Sequence, residues 1–190
     1  RTTRVVSGFF NKKTGISNIE FTDSAFNIPL THAKNVLKAL AAKNLPLKIR
    51  TMGLNPLCVD EDLIALMKQT GFTDVDLGAE SGCDETLKSL QKNYRREDLL
   101  RAATLLRASH IPINWYLLLG APNETKATLK ETFDTITHAA SKWDLINIGV
   151  GIRLYKGSPL AKALQQNRPA RYASEDFLKP VAVEPDAISL

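Results

Sequence analysis

The 190-residue chain is 44% apolar and 24% charged, the balance of an ordinary soluble domain, and long enough to bury roughly 70% of its unfolded surface. Lys and Arg exceed Asp and Glu by 25 − 20 = +5, but the densest basic spot, Lys92-Asn-Tyr-Arg-Arg96, is short, which favours a solvated helix face over a nucleic-acid patch. No apolar run reaches the ~18 residues of a membrane span and no signal-peptide pattern opens the chain, so neither a membrane nor export is indicated.

In chain order, Val5, Val6, Phe9 and Phe10 fit one helix face, stopped by Gly15, and residues 16–23 read as a strand. Ala33, Val36, Leu37, Leu40 and Ala41 keep the 3.6-residue period of a core-facing helix. A strand over 47–52 precedes a helix with Asp60 as its cap, Leu63, Leu66 and Met67 inward and Gly71 past its end. Residues 73–79 alternate as a strand. A short helix over 84–91 follows, then a longer one over 96–109 with Leu99, Ala103 and Leu106 as its stripe.

Residues 113–119 form a nearly continuous apolar strand, the pattern of a strand covered on both faces. Leu129, Phe133, Ile136, Ala140 and Trp143 make the next helix stripe, with Asn123 as cap, and 145–155 reads as a fifth strand. Pro159 opens a last helix. From Gln165 the pattern weakens, and Pro169, Pro180 and Pro185 argue against a long helix. The organisation is one domain over 1–164 with an irregular extension over 165–190.

This alternation predicts an α/β fold: a partial (β/α) TIM-like barrel of parallel strands, about five βα units, lacking the first strand. Parallel strands put all their C-terminal ends on one rim. That rim collects Asp23-Ser24, Met52-Gly53, Glu80-Ser81-Gly82, Gly120-Ala-Pro and Tyr155-Lys-Gly-Ser158. Glu80 is equally suited to capping the helix after it, and Asp23-Ser24 to turn chemistry. Asn123-Glu124 reads as a helix start more readily than as a ligand group. Asn114 and Tyr116 fit either a substrate contact inside the barrel or satisfied core groups. The three histidines fall on helices or at their ends and read as structural. Cys58 and Cys83 lie in no Cys-x-x-Cys pair and read as free thiols of a cytoplasmic protein.

Four segments in order carry a family resemblance: Phe21-Thr-Asp-Ser-Ala-Phe-Asn27, Asp74-Val-Asp-Leu-Gly-Ala-Glu-Ser-Gly82, Leu118-Leu-Gly-Ala-Pro-Asn-Glu-Thr125 and Ile148-Gly-Val-Gly-Ile-Arg-Leu-Tyr-Lys-Gly-Ser-Pro-Leu160. The chain resembles the core of radical SAM iron–sulfur oxidoreductases, most of all those with a cobalamin-binding domain. The resemblance implies a S-adenosylmethionine site. Asp23 and Ser24 would approach the methionine amino group, and Glu80 and Ser81 the ribose. Leu119 and Gly120 would pack on the adenine, Leu154 and Tyr155 would offer it backbone bonds, and Lys92 or Arg96 would meet the methionine carboxylate. A carboxylate can accept two ribose hydroxyls, and a glycine lets backbone approach a flat base.

One departure stands out. The family's Cys-x-x-x-Cys-x-x-Cys, which holds the [4Fe-4S] cluster, is absent, as is a first strand to carry it. The expectation is therefore a fragment. Its parent would be a radical SAM enzyme using a [4Fe-4S] cluster, S-adenosylmethionine and, in the cobalamin branch, cobalamin. Flavodoxin or ferredoxin would be the reductant, and the substrate a small molecule or one the sequence does not reveal. The chain alone would hold no metal or cofactor and be inactive, and its first strand's exposed edge would favour self-association. The alternative is a cluster-free barrel that binds a nucleotide-like ligand or a protein. A Schiff-base or phosphate-binding barrel is disfavoured because no lysine sits on a strand at the rim.

Overall fold

The computed structural model describes residues 15–155, 157–167 and Val183. The helix expected around Val5–Phe10 falls outside these. Five strands form one sheet in the order β1-β2-β3-β4-β5, every neighbouring pair parallel. They are β1 (Asn18–Phe21), β2 (Lys48–Leu54), β3 (Phe72–Glu80), β4 (Ile113–Leu119) and β5 (Leu145–Val150). The helices are α1 (Leu30–Ala41), α2 (Glu61–Thr70), α3 (Asp84–Ser89), α4 (Arg96–Ala108), α5 (Lys126–Ala139) and α6 (Pro159–Asn167). Because all strands run the same way, their C-terminal ends share one rim.

Local chemistry explains the boundaries. The Asp60 side chain accepts the Leu63 N–H at 2.9 Å and caps α2, and Gly71 ends it in the left-handed region at φ 91°. Thr125, not Asn123, caps α5, by accepting the Thr128 N–H; Asn123 instead sits in the turn before it at φ 60°. Strand β5 stops at Val150, short of Tyr155, where Gly151 turns the chain at φ 87°.

The core lies on one side of the sheet. Ile49, Val75, Leu77, Ala79, Ile113, Trp115 and Leu117 point from the strands into Ala33, Leu37, Leu63, Met67, Leu99 and Leu106 of the helices. Two expectations fail here. The other face of β4 is open: Tyr116 is 43% exposed, so the strand is not covered on both sides. In α5, Phe133 is exposed and Trp143 lies beyond the helix end, while Thr128, Thr132 and Thr135 take buried positions. Threonine suits them because its hydroxyl finds partners there: Thr132 bonds the Ser81 hydroxyl and Thr135 the Gly82 carbonyl.

Candidate functional site

The rim is built turn by turn. After β1, the exposed Asp23 and Ser24 stand on a turn clamped from below by Asn27. Asn27 is fully buried; its amide donates to the Asn55 and Cys58 carbonyls, both at 2.8 Å, and accepts the Asn55 N–H. Gly53 completes the clamp, since a Cβ there would overlap the Ser24 carbonyl. Two turns from neighbouring strands are thus fixed to each other.

At the end of β3, Glu80 occupies the left-handed region at φ 57°, unusual for a residue with a side chain. The Ser81 N–H closes a three-residue turn around it onto the Ala79 carbonyl at 2.6 Å. The Glu80 carboxylate meets the Lys92 ammonium at 2.9 Å, with both side chains partly exposed. It does not cap α3, whose cap position is Cys83. Tyr94 props the strand end by donating to the Gly78 carbonyl at 2.7 Å. Burial, with the Glu80 carboxylate second, pushes its hydroxyl far up, so it stays protonated.

Ser81 turns inward instead. It is fully buried, its hydroxyl 2.7 Å from that of Thr132 and accepting the Cys83 N–H at 3.1 Å. Its backbone, more than its hydroxyl, faces the rim turn. Arg96 is likewise engaged elsewhere: at the start of α4 its guanidinium pairs with Glu131 at 2.7 Å. Of the two cations considered, only Lys92 is drawn to Glu80.

After β4, Gly120 adopts φ 87° and the Glu124 carboxylate folds back under it, accepting the Gly120 N–H at 2.5 Å and the Ala121 N–H at 3.3 Å. Glu124 is 5% exposed, and burial pushes its carboxyl up despite those two donors. Glu124 serves neither as a surface helix-start residue nor as a ligand group but as the internal brace of the Leu119-Gly120 turn. The Gly151 N–H bonds the Leu119 carbonyl, and the Val183 N–H bonds the Gly120 carbonyl, both at 2.8 Å. Val183 packs with Leu154, which is 1% exposed, so Leu119, Gly120 and Leu154 converge; Tyr155 is 62% exposed beside them.

Below the rim, the open face carries a charged ladder set by strand register. Glu20 lies opposite Arg50, Arg50 opposite Asp74, and Asp76 opposite Asn114. The Arg50 guanidinium reaches Asp76 at 2.7 Å, Glu20 at 3.2 Å and Asp74 at 3.3 Å, and the Asn114 amide donates to both aspartates. Asn114 is thus a satisfied polar group. Sequence reading missed Arg50 and the ladder because the pairing depends on register; a carboxylate at 74 and 76 with alternation was its one visible signal.

Cys58 is half-buried. Cys83 is buried, its thiol pushed up first by that burial. No three His, Cys, Asp or Glu side chains among the described residues form a metal-binding group. A [4Fe-4S] cluster held by three thiolates does not fit this chain's own residues, which include only two cysteines.

Five βα units with a polar rim at the strand C-termini define an α/β sheet of the partial-barrel class. A sequence profile described as the radical SAM superfamily matches residues 10–136. Over 167 residues the chain is 27% identical to a tryptophan 2-C-methyltransferase of Streptomyces laurentii, covering 80% of this chain and 27% of that protein. Over 74 residues it is 34% identical to an anaerobic magnesium-protoporphyrin IX monomethyl ester cyclase of Rubrivivax gelatinosus, 39% of this chain and 13% of the relative. The structure of the radical S-adenosylmethionine methyltransferase TsrM from Kitasatospora setae, with cobalamin and a [4Fe-4S] cluster bound, superposes with a TM-score of 0.74 at 24% identity. That match covers 83% of this chain and 30% of TsrM. The chain belongs to the radical SAM superfamily. It spans less than a third of each of these proteins, and among its described residues no helix is long and apolar enough to cross a membrane.

Proposed function

We propose that this chain forms the S-adenosylmethionine-binding rim of a radical SAM enzyme, the cluster being held by cysteines outside these 190 residues. One observation carries the reading: Glu80 is held in a strained turn at the end of β3 with its carboxylate beside Lys92 and partly open. Backbone strain at a strand end is retained where a side chain must be aimed. Glu80 would accept the ribose hydroxyls, and Lys92 would be shared between Glu80 and the methionine carboxylate. The exposed Asp23 and Ser24 would accept from the ammonium group. The braced Leu119-Gly120 turn, with Leu154 and Tyr155, would flank the adenine. Ser81 and Arg96 would act as supports, one locking the β3 turn to α5 and the other tying α4 to α5.

Whether the parent abstracts hydrogen or transfers a methyl group, and whether cobalamin takes part, follows from segments outside this chain. The curated methyltransferase and cyclase relatives make both chemistries candidates. A flavodoxin or ferredoxin would be its reductant and the cytoplasm its compartment. The chain alone, lacking the thiolates, would not cleave the cofactor.

Two experiments test this. S-adenosylhomocysteine titrated into the chain should show weak, saturable binding that Glu80→Ala abolishes; binding unchanged by that substitution would overturn the assignment. The parent protein, prepared anaerobically with reductant, should form 5′-deoxyadenosine or methylated product from S-adenosylmethionine. The lack of a three-thiolate set favours a second reading, a cluster-free barrel that binds a nucleotide-like ligand or a protein. Finding no three-cysteine segment in the coding sequence upstream of Arg1 would favour that reading.

A further inference from the structure

The end of the sheet away from the rim carries a cavity of its own. It holds about 530 Å³ and lies where α4 ends, β4 begins and the α5–β5 turn passes. Arg107, His110, Pro112, Ser141, Trp143 and Asp144 are among the residues that line it, and no rim residue does. Ile113 and Leu119 stand six residues apart on β4, so about 20 Å separates this cavity from the proposed cofactor site. A volume of that size suits one small organic molecule.

The cavity's carboxylate is already saturated. Asp144 Oδ1 accepts the Ile113 N–H and the Ser141 hydroxyl, both at 3.0 Å. Its Oδ2 accepts the Ser141 N–H at 2.9 Å and the Trp115 Nε1–H at 3.1 Å. Four donors fill the four lone-pair positions of a carboxylate, so an incoming amine finds no acceptor there.

The cations are in the opposite condition. Arg107 lies in the last turn of α4 and His110 just past it, both exposed, and neither side chain has a hydrogen-bond or ion-pair partner among the described residues. His110 stands at φ 58°, the left-handed position after a helix that glycine or asparagine usually takes. Its N–H bonds the Arg107 carbonyl, and the Ile111 N–H bonds that of Leu106, both at 3.0 Å, which fixes the backbone carrying the imidazole. A helix C-terminus favours cations in its last turn, which accounts for Arg107 but not for the aromatic ring that shares its cavity.

That ring is Trp143, 72% exposed. Its turn is nonetheless tightly bonded: the Trp143 N–H donates to the Ser141 hydroxyl at 3.2 Å and the Asp144 N–H to the Ser141 carbonyl at 3.1 Å. The Lys142 ammonium lies 5.0 Å from the ring centroid and adds a third positive charge. A large aromatic left in water on a fixed turn marks a contact surface.

We propose that this cavity binds a small planar aromatic carboxylate, its anionic end paired with Arg107 and His110 and its ring stacked on Trp143. This is a second ligand site, at the opposite end of the strands from the rim and independent of the reading given to the rim. Charge-assisted hydrogen bonds and stacking supply the attraction.

The test titrates 2-naphthoate into the intact chain by ligand-observed NMR. Neutral 2-naphthamide, non-aromatic cyclohexanecarboxylate and inorganic phosphate serve as comparisons. 2-Naphthoate should bind with a dissociation constant of about 1 mM or below, and each comparison at least about fivefold more weakly. Arg107→Gln and Trp143→Leu should each weaken 2-naphthoate about tenfold, and His110→Asn, which suits the left-handed backbone, about threefold. Thermal unfolding checks that each variant is folded, and Arg107→Ala or Trp143→Ala replaces one that is not. No saturable binding, equal binding of any comparison, or affinity unmoved by either the Arg107 or the Trp143 substitution overturns the proposal. Competition between 2-naphthoate and S-adenosylhomocysteine would put the ligand at the rim instead and overturn it too.

Discussion

The two faces of strands β3 and β4 come from the same residues in alternation and do opposite things. On the helix-covered face, Val75, Leu77, Ala79, Ile113, Trp115 and Leu117 are each 2% exposed or less. On the open face, Asp74, Asp76, Gly78, Asn114 and Tyr116 carry charge, hydrogen-bonding groups and bare backbone. The first face supplies burial energy, scaling with area removed from water. The second supplies little and spends strand propensity on glycine and aspartate. The difference teaches that a one-residue step along each strand separates apolar burial from an open, polar surface.

The largest expected effect is on the closed face. Trp115→Ala removes the largest fully buried side chain and the Nε1–H bond to Asp144, and should cost about 3–5 kcal/mol in urea unfolding. Glu124→Ala, which leaves two buried N–H groups without an acceptor, should cost about 2–4 kcal/mol, and Glu124→Gln clearly less. On the open face, Arg50→Met exposes Asp76 to an unbalanced site but is relieved by solvent; about 1–2 kcal/mol is expected, mostly recovered in Arg50→Met with Asp76→Asn. Tyr116→Ala should move stability by less than about 1 kcal/mol. If it costs as much as Trp115→Ala, the separation of faces is wrong.

Acid titration sharpens the comparison through two carboxylates. Burial raises the Asp60 pKa, but the Lys34 ammonium and the Leu63 N–H outweigh it and hold the carboxyl below its ordinary value. Stability from Asp60 is therefore present above the unfolded value near 3.8 and is lost as pH falls through the folded one. Glu124 runs the other way. Its folded value lies above the ordinary 4.5, so stability declines as pH rises from there through the raised value. Urea unfolding across this range should show the Glu124 limb flattened in Glu124→Gln and the Asp60 limb flattened in Asp60→Asn. The smallest effect is association: light scattering should show concentration-dependent self-association, which charges placed on the outer edge of β1 would reduce.

The fold was largely legible in the sequence because hydrophobic periodicity and caps are local signals. Asp60, Gly71 and the stripe Ala33-Val36-Leu37-Leu40 lie where the sequence reading puts them. Covered and open faces were not legible on β4, since Ile113–Leu119 reads as nearly continuous apolar sequence broken only by Asn114. The α5 stripe misled because threonine scores as polar while its hydroxyl can be satisfied inside. At the rim, motif residues could be named, but not which way they point: the inward turn of Ser81, the brace of Glu124 and the engagement of Arg96 depend on partners 35 to 51 residues away or on a turn's geometry. The Arg50 ladder needed the register of four strands.

Glu80 sits where glycine would be more comfortable. Relief of its left-handed backbone is worth about 1 kcal/mol, so glycine at position 80 should be tolerated or even favoured by the folded state. The same change deletes the carboxylate on which the proposed cofactor rim would depend. Substitutions scored by protein abundance would rank glycine well at this position, and scored by ligand retention would rank it among the worst. On the proposed reading, such an opposition would mark position 80 as one where binding is held against foldability.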